Sequence, residues 1–369
     1  MSSLPTALPD ATARIEVRAG NGQYTIDIAA GLAQRLPDLL DAIEAPKRRF
    51  IVSTPTVWRF HGERFHGVSH DDPILIPDGE RHKQLATVGK IYDALIRAAA
   101  DRASTIVAIG GGVTGDVAGF AAATYLRGVP VVQVPTTLLA QVDSAVGGKV
   151  GVNHPMGKNL IGAFHAPLAV AIDPALLVTL PRREFRAGLY EVVKYGVIAS
   201  RDLFGRVAAD LSALFAREPG TLVPVIADSC RIKAGIVEAD ERETGVRRTL
   251  NFGHTAGHAL EAVTKYRRFR HGEAIAYGML VAAQLGVTRG TFDPADRDAL
   301  AALIAQMGPL PAVADLSVAH VVEAAGRDKK VIAGQLHYVL PTAIGATEVV
   351  KDVTPAELSA ALEAVGLRG

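Results

Sequence analysis

Three histidines and a glutamate stand at spacings that suit a metal site. His254 and His258 are four residues apart in LNFGHTAGHALE, which places them on one face of a helix, and His271 begins another helix in RHGEA. Glu191 precedes them in GLYEVVKYG, one helical turn before Lys194. Two histidines plus a carboxylate form a common catalytic zinc set that leaves a position open for substrate. The spacing leaves open whether His258 is the second ligand or a proton carrier beside the metal.

A glycine-rich turn indicates a second chemistry, the binding of a pyrophosphate. VAIGGGVTGDVAGF contains the spacing G-x-G-x-x-G at Gly110, Gly112 and Gly115, and Asp116 follows directly. An apolar strand precedes the turn and a small-residue helix follows it, so backbone N–H groups at the helix start would favour a phosphate. The spacing alone is also compatible with a tight turn that binds nothing.

The usual dinucleotide fingerprint lacks its acidic residue at the end of the next strand, where QVPTT stands at 133–137. An acidic turn occurs after an earlier strand instead, in PDGERHK at 77–83. In a parallel sheet this turn could lie at the same edge as the glycine turn. The carboxylates of Asp78 and Glu80 could then hold ribose hydroxyls, and the two turns together predict a bound dinucleotide.

Residues 138–167, LLAQVDSAVGGKVGVNHPMGKNLIGAFHAP, are interpreted as a long glycine-rich connection. They place Asp143, Lys149, Lys158 and Asn159 among the glycines. A long loop inside a domain is more often a binding element than a linker. Lysines there can bind a phosphate or carboxylate, and the two shorter side chains can orient hydroxyls. The alternative is a set of solvated surface lysines.

The elements that must position these residues change in character near Leu180. Earlier segments alternate short apolar strands with helices, whereas later segments carry helical spacing until LHYVLPTAIGATEVV near the end. We therefore predict an α/β N-terminal, Rossmann-like domain with a parallel sheet over residues 1–180, followed by a mostly α-helical C-terminal domain over 181–369. The expected site is the cleft between them. The predicted strands are RRFIVST, DPILIPD, STIVAIGGG, VPVVQVPTT and LAVAIDP.

Composition narrows the class of protein. The 369 residues include 39 basic and 38 acidic side chains, a net charge of +1 that argues against a general nucleic-acid binder. The single cysteine, Cys230, excludes an intrachain disulfide and is interpreted as a buried small hydrophobe. The longest apolar stretches fall short of the roughly 20 residues that cross a bilayer. The N-terminus shows no secretory signal, so we expect a cytoplasmic protein that does not bind membranes.

The chain resembles the 3-dehydroquinate synthase family over about residues 15 to 350. The resemblance is carried, in order and spacing, by GGGVTGDVAGFAAATYLRG, PTTLLAQVDSAVGGKVGVNHPMGKNLIGAF, EVVKYG, RRTLNFGHTAGHALE and RHGEA. It implies an N-terminal domain that binds NAD, a helical domain that carries zinc or cobalt, and a homodimer. Shorter fragments are shared with other sugar-phosphate cyclases and, more distantly, with iron-type alcohol dehydrogenases.

The resemblance also implies residue roles. It makes Glu191, His254 and His271 the metal ligands, which assigns His258 to chemistry. It implies that an arginine, Arg127, reaches the substrate phosphate from the neighbouring subunit. The implied NAD-binding residues are Asp78, Gly79, Glu80, Lys83, Gly111, Gly112, Val113, Asp116, Thr136, Thr137, Lys149, Lys158, Thr179 and Leu180. The implied substrate residues are Asp143, Lys149, Lys158, Asn159, Lys194, Lys233, Arg247, Asn251, His258 and, in RDKKV, Lys330 in preference to Lys329.

Two positions fit this pattern less directly. An acid that contacts the adenosine ribose in some members is replaced in IVSTPTV by Ser53 or Thr54. Glu261, on the helix of His254, is interpreted as a solvated or capping residue. Tyr195, Phe252 and Tyr277 are interpreted as packing residues.

The implied reaction converts a sugar phosphate, 3-deoxy-D-arabino-heptulosonate 7-phosphate, into 3-dehydroquinate and phosphate. It proceeds by transient NAD-dependent oxidation, β-elimination of phosphate, re-reduction and intramolecular aldol closure. Three alternatives remain: a cyclase that forms an inosose or valiolone-type ring, an alcohol dehydrogenase with net NADH production, and a non-catalytic binding module. Asn251, His258 and the lysine-rich segment favour dehydroquinate formation.

Overall fold

The computed structural model describes residues 13–19, 22–240, 245–326, 331–332 and 335–368. The chain divides into two compact units. Unit 1 combines Met1–Pro181 with Ala216–Glu241, and unit 2 combines Arg182–Phe215 with Arg242–Gly369. Segment 216–241 therefore packs with unit 1, although it lies beyond the predicted boundary at residues 180 and 181. As a division of function, that boundary stays a prediction.

Strands occur in both units and are numbered here in chain order. They are β1 (Ala13–Ala19), β2 (Gly22–Ile28), β3 (Arg48–Ser53), β4 (Ile74–Leu75), β5 (Ser104–Gly110), β6 (Val131–Pro135), β7 (Lys149–His154), β8 (Gly157–Phe164), β9 (Ala169–Ile172), β10 (Val331–Ile332), β11 (Gln335–Leu336), β12 (Tyr338–Ala343) and β13 (Ala346–Val350).

The helices are numbered in the same way, and short 3-10 turns connect several of them. They are α1 (Leu36–Ala42), α2 (Pro55–His61), α3 (Leu85–Arg97), α4 (Gly112–Thr124), α5 (Arg182–Ala199), α6 (Arg201–Ala209), α7 (Leu211–Ala216), α8 (Pro219–Ala239), α9 (His254–Val263), α10 (His271–Thr288), α11 (Pro294–Gln306), α12 (Val318–Gly326) and α13 (Pro355–Ala364). Among the described residues, no helix has the length and apolar character needed to cross a membrane.

Unit 1 is built on a sheet with strand order β1-β2-β9-β6-β5-β3-β4. All neighbouring strands are parallel except β1 and β2, which form an antiparallel hairpin. The predicted α/β domain with a parallel sheet is therefore confirmed. The hairpin was not predicted, although Ile15 and Val17 alternate with charged residues in β1 and are buried.

The continuous apolar sequence of β5 reflects burial on both faces of the sheet. Ile106 and Ala108 pack in one core cluster with Val88 and Val117 of α3 and α4. Val107 and Ile109, which point the opposite way, pack in a second cluster with α1. Alternate residues of one strand thus serve two cores, as in sheets covered by helices on both sides.

The prediction of a long connection over 138–167 is wrong. Residues 140–144 form a short π-helical turn, and β7 and β8 pair as an antiparallel hairpin. The sequence did not predict this hairpin, because glycine is usually disfavoured in strands and its glycines therefore indicated a loop. Here a Cβ on Gly151 or Gly162 would collide with a carbonyl oxygen of the opposite strand, and one on Gly119 of α4 would collide with Val150.

Unit 2 confirms the predicted helical C-terminal half. Helices dominate it, and the strand-like run near the end forms the antiparallel pair β12–β13. At one end of α10, Arg289 binds both carboxylate oxygens of Glu357 on α13, at 2.8 and 3.0 Å, and Asp352 at 2.8 Å. Glu357 also closes a capping box with Thr354. The Arg289 guanidinium and the Thr354 bonds lower the pKa of Glu357 to about 2.

Glu357→Gln should lower the free energy of unfolding by about 1–2 kcal/mol at pH 7, because glutamine retains a capping acceptor but loses the bidentate ion pair. The folded-state pKa is depressed, so this stabilisation is present above the ordinary value of 4.5 and is lost as the pH falls toward 2. Denaturant unfolding of both proteins at pH 7 and pH 3.5 should show a smaller difference at the lower pH. Glu363→Gln, on the exposed face of the same helix, is the control, and a difference independent of pH would contradict the assignment.

Candidate active site

Three helices of unit 2 approach one another at glycines. A Cβ added to Gly272 of α10 would collide with the Ala187 carbonyl oxygen of α5, and one added to Gly278 would collide with the Gly253 carbonyl oxygen at the start of α9. Gly253 itself has φ 76°, a left-handed conformation that other residues adopt rarely. These contacts bring the start of α10 against α5 and the start of α9 against the middle of α10.

The predicted metal ligands converge at this point. Glu191 lies on α5, and His254 and His271 are the first residues of α9 and α10. The Oε1 atom of Glu191 is 3.9 Å from His254 Nε2 and 3.6 Å from His271 Nε2. His258 joins the group, since one ring nitrogen of each of the three histidines lies within 4.8 Å of the others.

The surroundings of Glu191 fit a divalent metal. Its side chain is 0% exposed, and its Oε1 atom has no hydrogen-bond partner among the described atoms. Its Oε2 atom forms an ion pair with the buried ammonium group of Lys194. Ligand atoms about 2.0–2.2 Å from a tetrahedral ion stand roughly 3.3–3.6 Å apart. The two Oε1–Nε2 distances are near that range, so a cation would satisfy an otherwise unpartnered oxygen.

The second ring nitrogen of each predicted ligand histidine, His254 and His271, faces an acceptor. His254 Nδ1 lies 3.1 Å from the Phe252 carbonyl oxygen, and His271 Nδ1 lies 3.4 Å from Glu261 Oε2. The interpretation of Glu261 as solvated is wrong, because the residue is buried. The spacing HxxxHxxE could have indicated this, since Glu261 falls seven residues after His254 and so lies on the same helix face.

Glu273 fixes the start of α10 against α5 and was not predicted. This buried carboxylate accepts bonds from Arg183 Nε and Nη2, both at 2.7 Å, from Arg186 Nη2 at 3.1 Å, and from the Arg270 amide at 2.8 Å. Burial alone would raise the pKa of Glu273, but these donors outweigh it and hold the pKa below its usual value. Because His271 is two residues away, this clamp fixes its position relative to Glu191.

The other unit 2 residues are placed near the same elements. Lys194 is one turn after Glu191 on α5, and Arg247 and Asn251 belong to the 3-10 helix Val246–Asn251, which ends three residues before His254. Phe252 and Tyr195 are buried, in agreement with a packing role. Lys329 and Lys330 lie outside the described residues.

In unit 1, the predicted dinucleotide residues follow the carboxyl ends of parallel strands. These strand ends form one edge of the sheet, the usual location of ligand sites in such folds. The amide of Thr136 donates to the Gly110 carbonyl oxygen, which joins the ends of β5 and β6. The predicted residues are distributed as Asp78, Gly79, Glu80 and Lys83 after β4, Gly111, Gly112, Val113 and Asp116 after β5, Thr136 and Thr137 after β6, and Thr179 and Leu180 after β9.

Lys83 links this edge to the β7–β8 hairpin. Its ammonium forms an ion pair with Asp116 and lies 2.6 Å from Asn159 Oδ1. Asn153, which was not predicted, donates to Glu80 Oε1 at 2.7 Å and accepts from the Asn159 amide at 2.9 Å. Burial raises the pKa of Asp116, and Lys83 opposes that shift. The hairpin, which also carries Lys149 and Lys158, therefore places Asn159 beside the predicted dinucleotide turns.

Other predicted site residues of unit 1 also form hydrogen bonds. Lys233 of α8 donates to the backbone carbonyl and, at 2.7 Å, to the carboxylate of Asp143. Thr179 Oγ1 lies 2.7 Å from Nε2 of His61. The guanidinium of Arg217 binds the Leu180 carbonyl oxygen. His61 and Arg217 were not predicted, because neither belongs to a recognisable motif.

Arg127 lies elsewhere in unit 1, on an exposed turn after α4. Both Leu126 and Arg127 have positive φ, 49° and 69°, which is uncommon for residues other than glycine. His165, just after β8, places Nε2 2.9 Å from the Val129 carbonyl oxygen. This turn is therefore adjacent to the end of the β7–β8 hairpin.

Two family models match adjoining parts of the chain, from residue 73 to residue 331. Residues 73–187 match the model described as 3-dehydroquinate synthase N-terminal, and residues 188–331 match the model described as 3-dehydroquinate synthase C-terminal. A 3-dehydroquinate synthase of Pelotomaculum thermopropionicum is 48% identical over 90% of this chain and 91% of its own length. One from Pseudomonas putida is 46% identical over 95% of this chain and 97% of its own.

Solved structures with a similar fold include other cyclases. A 2-epi-5-epi-valiolone synthase from Streptomyces hygroscopicus subsp. jinggangensis, solved with NAD+ and Zn2+ bound, is 28% identical with a TM-score of 0.87 over 94% of this chain and 98% of that one. A 2-deoxy-scyllo-inosose synthase is 24% identical with a TM-score of 0.85 over 96% and 99%, and at that identity it shows the fold alone.

Gly272→Ala should lower the free energy of unfolding by about 3 kcal/mol, because the new methyl group must push α10 away from the α5 backbone. Gly205→Ala is a matched control in α6 of the same unit, where a Cβ meets no atom within 4 Å. That variant should be stabilised by about 0.5–1 kcal/mol through lower chain entropy. Denaturant unfolding measures both, and equal effects of the two substitutions would contradict the close contact.

Proposed function

This chain belongs to the 3-dehydroquinate synthase family, and from that premise we propose how it converts 3-deoxy-D-arabino-heptulosonate 7-phosphate into 3-dehydroquinate and phosphate. The observation that carries the proposal is the convergence of Glu191, His254 and His271 on one point in unit 2. Unit 1 presents the polar turns of a dinucleotide site at one sheet edge. Both sets are required by a reaction that oxidises and later reduces the same carbon.

The proposed metal ligands are Glu191 Oε1 and the Nε2 atoms of His254 and His271. When bound, zinc or cobalt lowers the pKa of a hydroxyl group that it holds, as it does for water. His258 lies close enough to the ligands to exchange a proton with that hydroxyl. Lys194 balances the charge of Glu191 and can steady an adjacent substrate oxygen. Asn251, just before α9, is assigned to a substrate hydroxyl.

The proposed cofactor is NAD, which supplies a hydride acceptor at the start of the reaction and a hydride donor later. The start of α4 at Gly112 has no side-chain cap, so its N–H groups are available to a pyrophosphate. Asp78 and Glu80 would bind ribose hydroxyls from the turn after β4. Lys83 and Asp116 hold that turn and the glycine turn together.

The substrate anions require cationic partners. Lys149, Asn159 and Lys330 are proposed to surround the phosphate that leaves, while Lys158 and Arg247 bind the carboxylate or phosphate. Asp143, held by Lys233, is proposed to orient a hydroxyl. Since phosphate is a poor leaving group from an unactivated carbon, its departure depends on the neighbouring alcohol first becoming a ketone.

We further propose a homodimer in which Arg127 reaches the partner's substrate phosphate. The turn that carries Arg127 is exposed, and so are the nearby apolar side chains of Leu126, Leu160 and Phe164, of which Phe164 is 57% exposed. Strand β8 pairs only with β7 among the described strands, so its other edge can accept a second chain. A cytoplasmic location is proposed with this biosynthetic role.

The reaction itself distinguishes the remaining alternatives. Purified protein given the heptulosonate phosphate should release one phosphate per dehydroquinate formed without accumulation of NADH, and a chelator should abolish release until zinc or cobalt is restored. Accumulation of NADH would indicate a dehydrogenase instead. Release of phosphate with a different carbocycle as product would indicate another cyclase.

Substitutions can distinguish the proposed role of the ligand histidines from that of His258. His271→Ala should lose bound metal and turnover together, because Nε2 is a ligand. His258→Ala should retain the metal and reduce kcat by about 10²–10⁴, the usual effect of losing a positioned proton carrier. Metal analysis alongside phosphate release measures both. Equal loss of metal in the two variants would show that the ligand set is wrong.

A further inference from the structure

We propose that Glu261 is a positioning residue for the metal centre. Its carboxylate accepts the Nδ1–H of His271 and so holds the ring with Nε2 directed at Glu191. This inference rests on the proposed metal site and adds to it a carboxylate that does not touch the metal. The two distances that define it are 3.4 Å from His271 Nδ1 to Glu261 Oε2 and 3.6 Å from His271 Nε2 to Glu191 Oε1.

The exposure of the two ligand rings explains why His271 needs such a partner. The His254 side chain is 13% exposed, whereas that of His271 is 30% exposed. His271 is the first residue of α10, and its larger exposed fraction leaves its ring less restricted by packing than that of His254. A hydrogen bond to Nδ1 restricts rotation that packing alone does not prevent.

The burial of Glu261 points to a charge partner. Its side chain is 5% exposed, and a carboxylate removed from water costs several kcal/mol unless hydrogen bonds and opposite charge compensate. The ring N–H of His271 is one such bond, and a divalent cation bound on the far side of that ring would add opposite charge. The position on α9 supports this, since Glu261 follows His258 by three residues and His254 by seven, on one helix face.

The two ligand histidines are thus fixed by different acceptors. His254 Nδ1 faces the neutral Phe252 carbonyl oxygen, whereas His271 Nδ1 faces a carboxylate. Either acceptor selects the tautomer whose Nε2 carries the free electron pair. A carboxylate also makes the imidazole a stronger electron donor, and loss of such a partner typically weakens metal binding 10–100-fold. His271 is therefore the ligand whose strength depends on a remote charge.

The test uses full-length metal-free protein titrated with Co²⁺, whose visible absorption reports ligand geometry. Glu261→Gln keeps the size and an acceptor oxygen but removes the charge, and it should weaken cobalt affinity about tenfold. Glu261→Leu removes both and should weaken it up to about 100-fold with an altered spectrum. Glu363→Gln, an exposed charge loss on α13, should match the wild type in affinity and spectrum. Affinity for NAD should be unchanged in all three variants.

The outcomes distinguish this inference from the proposed metal site. If the wild type binds cobalt and His271→Ala does not, while both Glu261 variants bind within twofold of the wild type with the same spectrum, the positioning role is overturned and the metal site stands. If wild-type binding does not depend on His271, the metal site itself is overturned. Thermal unfolding of the metal-free proteins confirms folding, and the isosteric glutamine variant decides the result if the leucine variant does not fold.

Discussion

The close approach of helix backbones at glycines is the constraint on which the metal centre depends. Where α10 meets α5 and the start of α9, a single methyl group at Gly272 or Gly278 would collide with a carbonyl oxygen. This spacing brings a glutamate from the middle of one helix to histidines that begin two others. The buried clamp of Glu273 with Arg183 and Arg186 holds the same junction by charge. Backbone packing and ion pairing therefore serve one geometric purpose.

In unit 1, the parallel sheet brings together the residues that are proposed to bind the dinucleotide. A parallel sheet brings the ends of β4, β5, β6 and β9 to one edge, so residues far apart in sequence become neighbours. Lys83 then joins two of these turns to the β7–β8 hairpin through Asp116 and Asn159. A cofactor that is oxidised and reduced within one turnover must be held throughout, and a cross-linked edge suits that requirement.

The sequence predicted the elements whose signals are periodic. The boundaries of α5 agree with the helical run RREFRAGLYEVVKYGVIA, and the apolar runs in β3, β5, β6 and β9 were read correctly as strands. The β7–β8 hairpin was missed because its glycines, needed for tight packing, resemble those of a loop. Glu261 was misinterpreted as solvated and Glu273 was missed, because burial and ion pairing depend on contacts between helices, which one sequence does not display. The spacing indicated Glu191 and the three histidines as candidates, whereas the choice of Glu191, His254 and His271 as the ligands came from the family resemblance.

Anomalous diffraction at the zinc edge, from crystals of the full-length protein grown with zinc, tests the central claim most directly. We expect one strong peak bonded to Glu191 Oε1 and to Nε2 of His254 and His271 at about 2.0–2.2 Å, with His258 beyond bonding distance. A peak bonded to His254, His258 and His271 but not to Glu191 would contradict this ligand set.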